Sequence, residues 1–163
     1  MKLREILGWL FCVGVLFVTG CTSASNNEEI SDVSFEVVPT INVGSLISTK
    51  ANYVVKSMDE WEEITGLTTV SPTINFDEKM LIISNYGSQA TGGYLVEIEK
   101  IQFSNINGLS VDVKFTVPGP SCGVTLAFTV PKQVVKLDRI TGITTFSETT
   151  VINNCVRFDD GGL

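Results

Sequence analysis

Hydrophobic and polar residues alternate along several stretches in the second half of the chain. In LSVDVKFTV, residues 109–117, every second residue is apolar. A period of two puts successive side chains on opposite faces of a strand, so this stretch predicts a strand with one face in the core. Residues 124–130 alternate in the same way before Pro131, which favours another strand ending there. Residues 79–87 (KMLIISNYG) are largely apolar and predict a strand covered on both faces.

The segment before residues 109–117 breaks its own hydrophobic pattern. Its apolar residues fall into two sets of opposite parity, Tyr94, Val96 and Ile98 against Ile101 and Phe103. A regular strand would turn one of these sets towards solvent. One extra residue at Glu99-Lys100 returns both sets to the same face, so the sequence predicts a β-bulge there.

The residues SNING join this segment to the next strand and predict a β-hairpin. A three-residue loop at 106–108, with Gly108 in the left-handed conformation, would close the hairpin. Such a loop places Phe103 opposite Val111 and Ile101 opposite Val113.

One helix is predicted, between Ser57 and Gly66. Ser57 with Glu60 forms a capping box, and Gly66 is a natural helix end. Apolar residues at helical spacing predict a buried face made of Met58, Trp61 and Ile64. The size of Trp61 favours a role as a core anchor over one as a ligand platform.

The remaining segments complete the predicted fold. Residues 35–41, 53–56 and 134–137 have strand-like composition, and the Thr-rich residues 143–158 fit either a last edge strand or an ordered tail. Together these elements predict an α+β fold. It consists of a mostly antiparallel β-sheet with one packed helix, in a β-rich, sandwich-like single domain over residues 35–163.

The N-terminal residues have the pattern of an export signal. Lys2 and Arg4 precede an apolar run at 6–18, which is too short for a permanent membrane span. Residues 18–21 (Val-Thr-Gly-Cys) resemble the signal of bacterial lipoproteins, in which the cysteine thiol is lipidated and becomes the first residue after cleavage. We therefore expect a signal peptide at 1–20 and lipidation of Cys21. An ordinary signal peptide that leaves Cys21 as a free thiol is the alternative.

Lipidation of Cys21 would decide where the protein works. Residues 22–34 are polar and lack apolar periodicity, so residues 21–34 are expected to form a lipidated tether. Two or more acyl chains hold a protein almost permanently on a bilayer. The expected location is therefore the outer side of the cell membrane or the outer membrane, with the membrane contacted through the N-terminal lipid.

Export also determines which cysteines can form a disulfide. Cys12 would leave with the signal peptide, so Cys122 and Cys155 form the candidate disulfide in an oxidising compartment. Such a bond would stabilise the fold by about 3–4 kcal/mol on the chain-entropy model. Two unpaired thiols are the alternative.

Charge and composition exclude several functions. The formal net charge is −7, and a nucleic-acid partner would require clustered Lys and Arg. The chain contains no histidine, which removes the Ser-His-Asp and Cys-His mechanisms and histidine-based metal sites. The acid pairs Asp77-Glu78 and Asp159-Asp160 are favoured as solvated turn charges, because adjacent strand residues point to opposite faces. No catalytic residue, metal site or cofactor is predicted.

Two loops carry unusual sequences. NYGSQATGGYLV holds three glycines within seven residues, and VPGPSCGV holds two prolines that stiffen a turn. These loops are candidate partner-binding segments, with a purely structural role as the alternative. The candidate residues are Gly92, Gly93, Tyr94, Pro118, Gly119 and Pro120.

The order of these motifs resembles the C-terminal domain of the protease complex subunit PrcB. The resemblance covers residues 76–139 and rests on Phe76-Asp77, residues 80–83, Thr91-Gly92-Gly93-Tyr94, residues 109–113, Pro118, Pro120, and Pro131 before Val134-Val135. It implies a non-catalytic lipoprotein that associates with a secreted protease and stabilises it. We therefore expect a protein partner, bound through the sheet edge or the two loops. A protease-inhibitor module that uses the same loops is the alternative.

Overall fold

The computed structural model describes residues 27–39 and 48–155. The predicted signal peptide, Cys21 and the pair Asp159-Asp160 lie outside the described residues. The described elements, in chain order, are β1 (Ile30–Asp32), β2 (Glu36–Val37), β3 (Ala51–Val55), α1 (Met58–Thr65), β4 (Lys79–Asn85), β5 (Leu95–Ser104), β6 (Gly108–Pro118), β7 (Lys132–Asp138) and β8 (Thr144–Asn153).

The strands form two four-stranded sheets, in the orders β1-β5-β6-β8 and β2-β7-β4-β3. All pairings are antiparallel except that of β6 with β8, which is parallel. The fold is therefore the predicted β-rich α+β arrangement with one helix. The edge-strand alternative holds for the Thr-rich segment, since β8 lies at the edge of the first sheet.

The second sheet lies in the middle of the molecule because both of its faces are covered. In β4, Leu81 and Ile83 pack with Trp61 of the helix, whereas Met80 and Ile82 pack against the first sheet. All four of these β4 side chains are fully buried. This confirms the prediction that the apolar segment at 79–87 is a strand covered on both faces.

Helix α1 begins and ends as predicted. The Ser57 hydroxyl oxygen accepts a hydrogen bond of 3.1 Å from the Glu60 backbone N–H, and Gly66 ends the helix with a φ of 70°. Trp61 is fully buried, and its indole N–H donates to the Thr69 carbonyl oxygen. Met58 is exposed, so its predicted place on the buried face was wrong. It occupies the first helical turn, beyond the edge of the core.

The predicted β-bulge is present in β5. Ile98 pairs with Val113 and Lys100 with Asp112, so Glu99 is the extra residue. On the outer face, the Lys114 ammonium group contacts the carboxylates of Glu97 and Glu99 at 2.8 Å each. Hydrogen bonding to Glu97, and then to Glu99, raises the pKa of Lys114.

The predicted hairpin register was wrong: the loop lies one residue earlier, so each β5 residue pairs with the β6 residue two positions before the predicted one. Ser104 pairs with Gly108, which leaves residues 105–107 as the loop and places Phe103 opposite Leu109. The cause is the Ser104 hydroxyl oxygen, which accepts hydrogen bonds from the N–H groups of Ile106 and Asn107 and closes the turn one residue earlier. Gly108 has the predicted left-handed conformation, with a φ of 78°. A shift of two residues keeps every side chain on its predicted face.

Two further expectations require correction. Residues 124–130 form a loop with one isolated bridge, between Gln89 and Thr129, and not a strand. At the other end, β1 lies inside the segment expected to be tether and pairs with β5. The first sheet therefore begins before residue 35, the predicted start of the domain.

Candidate functional site

Two loops meet at the end of the sandwich where β4 and β6 finish. We call residues 86–94 the glycine loop and residues 119–131 the proline loop. Their backbones are joined by four hydrogen bonds of 2.8–3.0 Å, formed by the N–H groups of Tyr86, Gln89, Gly92 and Thr129 with carbonyl oxygens of the opposite loop. The Thr129 hydroxyl also donates to the Thr91 carbonyl oxygen at 2.9 Å. The two loops therefore form one fixed unit.

The structure brings the predicted glycine-loop residues into this unit, mostly as packing residues. Gly92 is buried, and a Cβ there would lie 2.4 Å from the Thr125 hydroxyl oxygen. Gly93 is exposed and has a φ of 92°, a conformation that favours glycine. The Tyr94 ring is half-buried, with its centroid 5.5 Å from that of Tyr86. A direct contact of Gly92 with a partner is therefore blocked by the proline loop.

The predicted proline residues lie against the glycine loop and β8. Pro118 is the last residue of β6, and its ring lies 3.2 Å from the position that a Cβ of Gly93 would take. Gly119 is buried, and its N–H donates to the Asn153 carbonyl oxygen at 3.0 Å. Pro120 is exposed. The six candidate residues thus converge at one end of the molecule, and their contact with a partner remains a prediction.

Cys122 and Cys155 form the predicted disulfide, with their Cα atoms 5.0 Å apart. The bond joins the proline loop to the residues that follow β8. The Ser121 hydroxyl group also donates to the Cys155 carbonyl oxygen at 3.2 Å. The base of the proline loop is therefore held both by the glycine loop and by the end of the parallel edge strand.

The proline loop ends in an exposed apolar segment that sequence reasoning missed. We call Leu126, Ala127 and Phe128 the apolar tip. Leu126 is 92% exposed and Phe128 is 85% exposed, the highest values among the exposed large hydrophobic residues of the described chain. Burying a Leu or Phe side chain contributes about 1.5–3 kcal/mol, so this exposure forgoes a large stabilisation. The alternating pattern predicted that these two residues share a side, but it did not show that this side faces solvent.

The edge strand β8 adjoins the same end of the molecule. It is the longest edge strand in the described part of the chain, and no neighbouring strand covers its outer edge there. The side chain of Glu148 contacts Lys50 and Asn52, which connects β8 to the second sheet. The Lys50 ammonium group lies 4.2 Å from the centroid of the Phe115 ring. Beyond Glu148, β8 contains only uncharged residues, including the exposed Val151 and Ile152.

Charge is absent from the three segments that build this end. Residues 86–96, 115–131 and 149–155 contain no Asp, Glu, Lys or Arg. The charged residues that adjoin these segments in the sequence are Glu97, Lys114, Lys132 and Glu148. Lys132 is half-buried, and desolvation lowers its pKa. An uncharged surface with protruding Leu and Phe side chains has the composition of a protein interface core.

Acidic side chains and other possible metal ligands elsewhere in the described residues do not form a site. Asp77 and Glu78 are exposed in the turn before β4. The described part of the chain holds no cluster of three or more His, Cys, Asp or Glu side chains that could bind a metal ion. Of the helices within residues 27–39 and 48–155, none has the length and apolarity needed to cross a bilayer.

Comparison with known proteins gives one match. Residues 80–138 match the family described as PrcB C-terminal. Neither the curated proteins nor the solved structures contain a match. The matched segment agrees with the resemblance predicted from the motifs, and it runs from β4 to the end of β7 through both loops. Residues 80–138 of this chain are therefore similar to the PrcB C-terminal family.

Proposed function

We propose that this protein is a non-catalytic accessory subunit that binds and stabilises an exported protease. The observation that carries the proposal is the apolar tip, which protrudes from an uncharged surface within the segment of the PrcB C-terminal family. A loop already held by hydrogen bonds and a disulfide loses little conformational entropy when it binds. The loop pair is thus suited to binding a protein surface.

The outer edge of β8, which none of the described strands covers, offers a second contact for the same partner. An extended segment of the partner would add to the sheet beside β8 through backbone hydrogen bonds. Because the disulfide joins the proline loop to the end of β8, this edge and the apolar tip lie at the same end of the molecule, and one partner would cover both. Burying both also protects a long, Thr-rich edge from unwanted pairing.

A non-catalytic role is supported by the chemistry of the chain. The sequence contains no histidine to serve as a general base, and the exposed acid pair Asp77-Glu78 lies before β4, at the end of the molecule opposite the loop pair. Lipidation of Cys21 would hold the protein outside the cytosol, where an exported protease is reached. The proposed protein therefore has a lipid anchor at its N-terminus and a partner-binding surface on its folded domain.

Affinity purification from membranes tests this function. Full-length protein with a C-terminal tag, crosslinked in the native cells, is expected to retrieve an exported protease that is absent from untagged cells. Deletion of the gene should shorten the lifetime of that protease, as measured by pulse–chase labelling. A Cys21→Ala variant is expected to lose incorporation of labelled palmitate and to retrieve less of the partner. Retrieval of no exported protein by the wild type would refute the accessory role.

The apolar tip also favours a second candidate, a protease inhibitor. Inhibitors of proteases insert a short loop, fixed at both ends, into the substrate cleft, and the hydrogen bonds on either side of the tip give that geometry. Leu126 or Phe128 would then occupy a pocket specific for large apolar residues. The purified chain should in that case slow peptidases that cleave after Leu or Phe. Unchanged rates for such peptidases at about 10 µM chain, where even a weak complex of micromolar Kd would be populated, would exclude this candidate.

A further inference from the structure

We propose that the apolar tip inserts into an uncharged, apolar pocket on the exported protein partner, on the side of the domain that faces away from the anchoring membrane. This inference rests on the proposed function and specifies how the partner is bound. The contact consists of two side chains, Leu126 and Phe128, that enter the pocket together from one bend of the proline loop.

Charge complementarity indicates the nature of the pocket. The three segments around the tip carry no charged residue over their whole length, although the chain has a net charge of −7. A charged partner surface would lose its hydration against this end without gaining a counter-charge. The other end of the sandwich is strongly charged, with Glu28, Glu29, Glu78 and Asp138 among its residues. The occupant of the uncharged end is therefore an apolar protein surface.

The path of the N-terminal segment places the tip away from the bilayer. The backbones of Glu29 and Asn105 are hydrogen-bonded, so the chain enters the fold at the β5–β6 hairpin. Strand β6 runs from this hairpin to the loop pair, and its eleven residues span about 35 Å. Cys21 lies six residues before Asn27, which is a reach of at most about 20 Å. With a lipid on Cys21, the hairpin end faces the membrane and the tip faces a partner beyond it.

The tip is held firmly enough to act as a fixed insert. Thr125 accepts a hydrogen bond from the Gly92 N–H at 2.9 Å on one side of it, and Thr129 exchanges two backbone hydrogen bonds with Gln89 on the other. The three intervening residues contain no glycine or proline. Both side chains therefore project from a defined bend before the partner arrives, as expected of an anchor that enters a preformed pocket.

Photo-crosslinking in native membranes tests the occupant. A benzoylphenylalanine residue replacing Phe128 in the full-length chain is expected to crosslink to the exported protein, within a peptide that is rich in apolar residues. The same group replacing Ile143, which is 74% exposed at the opposite end, should not reach that peptide. Crosslinks from position 128 only to lipid would assign the tip to a bilayer, and crosslinks only to a second copy of this chain would assign it to self-association. Either result would overturn the proposed pocket.

A pair of double variants measures how much binding depends on the tip. Leu126→Ser with Phe128→Ser is expected to lower the amount of co-purified partner by about tenfold or more, as for two central interface residues. The control, Ile106→Ser with Ile143→Ser, removes two other exposed apolar side chains and should change retrieval by less than about twofold. Equal retrieval by wild type and tip variant refutes the pocket but leaves the accessory role intact. Unchanged melting temperatures of both variants show that folding is not the cause.

Discussion

Deletion of Glu99 is expected to leave the domain folded, with a cooperative unfolding transition close to that of the wild type. Glu99 is the extra residue of the β5 bulge, so its removal converts β5 into a regular strand and keeps the facing of its other residues. Val96 and Ile98, which are 3% and 4% exposed, stay in the core, and Glu97 stays on the outer face beside Lys114. By contrast, a regular β5 that retained Glu99 would turn these two apolar side chains to solvent, at a cost of about 3–6 kcal/mol. This cost is a large part of the stability of a typical domain, about 5–15 kcal/mol.

The matched control for this deletion is Glu99→Ala. It keeps the extra residue and removes one contact of Lys114, whose ammonium group still contacts Glu97. An exposed ion pair of this kind contributes less than about 1 kcal/mol, so the control should melt close to the wild type. Thermal unfolding followed by near- and far-UV circular dichroism compares the two. A deletion variant that lacks a sharp transition, beside a Glu99→Ala control that melts like the wild type, would show that β5 needs the extra residue.

The bulge could be predicted because the necessary information is local to one strand. Two apolar sets of opposite parity within one strand can share a face only if one residue is added between them. The helix was predictable for a similar reason, because its cap, buried Trp61 and terminal glycine all lie within ten residues. Local patterns of this kind predict both the type of element and the residues at which it begins and ends.

The loop at 124–130 could not be predicted because its pattern is the same as that of a strand. Apolar alternation states which side chains share a side, but a strand also needs a neighbour to accept its backbone hydrogen bonds. Here Cys122 is bonded to Cys155 at the end of β8, and Thr125 bonds to Gly92 of the glycine loop. These long-range contacts hold the segment across the end of the sandwich. The exposed tip was missed for the same reason.

The start of the fold depends on backbone pairing, and the hairpin register depends on one polar side chain. Strand β1 has three exposed residues and is held by backbone pairing with β5, so its sequence looks like solvated chain. The hairpin closes one pair early because of one serine hydroxyl group. The glycine and proline motifs meet in the structure, and their contact with a partner stays a prediction. The side chains that protrude from the site could not be identified before the loop was seen.

Replacement of Cys122 and Cys155 together by serine is expected to lower the free energy of unfolding by about 3–4 kcal/mol. The disulfide spans a sequence separation of 33 and restricts the unfolded chain, which is the source of the stabilisation in the chain-entropy model. The bond also ties the base of the proline loop to the end of β8. Its loss should therefore reduce both stability and the retrieval of the partner. Urea unfolding with and without reductant measures the first effect, and affinity purification measures the second.

Reductant separates loss of the bond from the effect of the serine side chains. It should lower the stability of the wild type to that of the double variant and leave the double variant unchanged. Wild type and double variant that agree within about 0.5 kcal/mol would show that the bond restrains nothing in the unfolded chain. Cys155 lies beyond residue 138, where the family match ends. A measured loss of partner retrieval would therefore mean that β8 and Cys155, which lie outside the matched segment, support the apolar tip inside it.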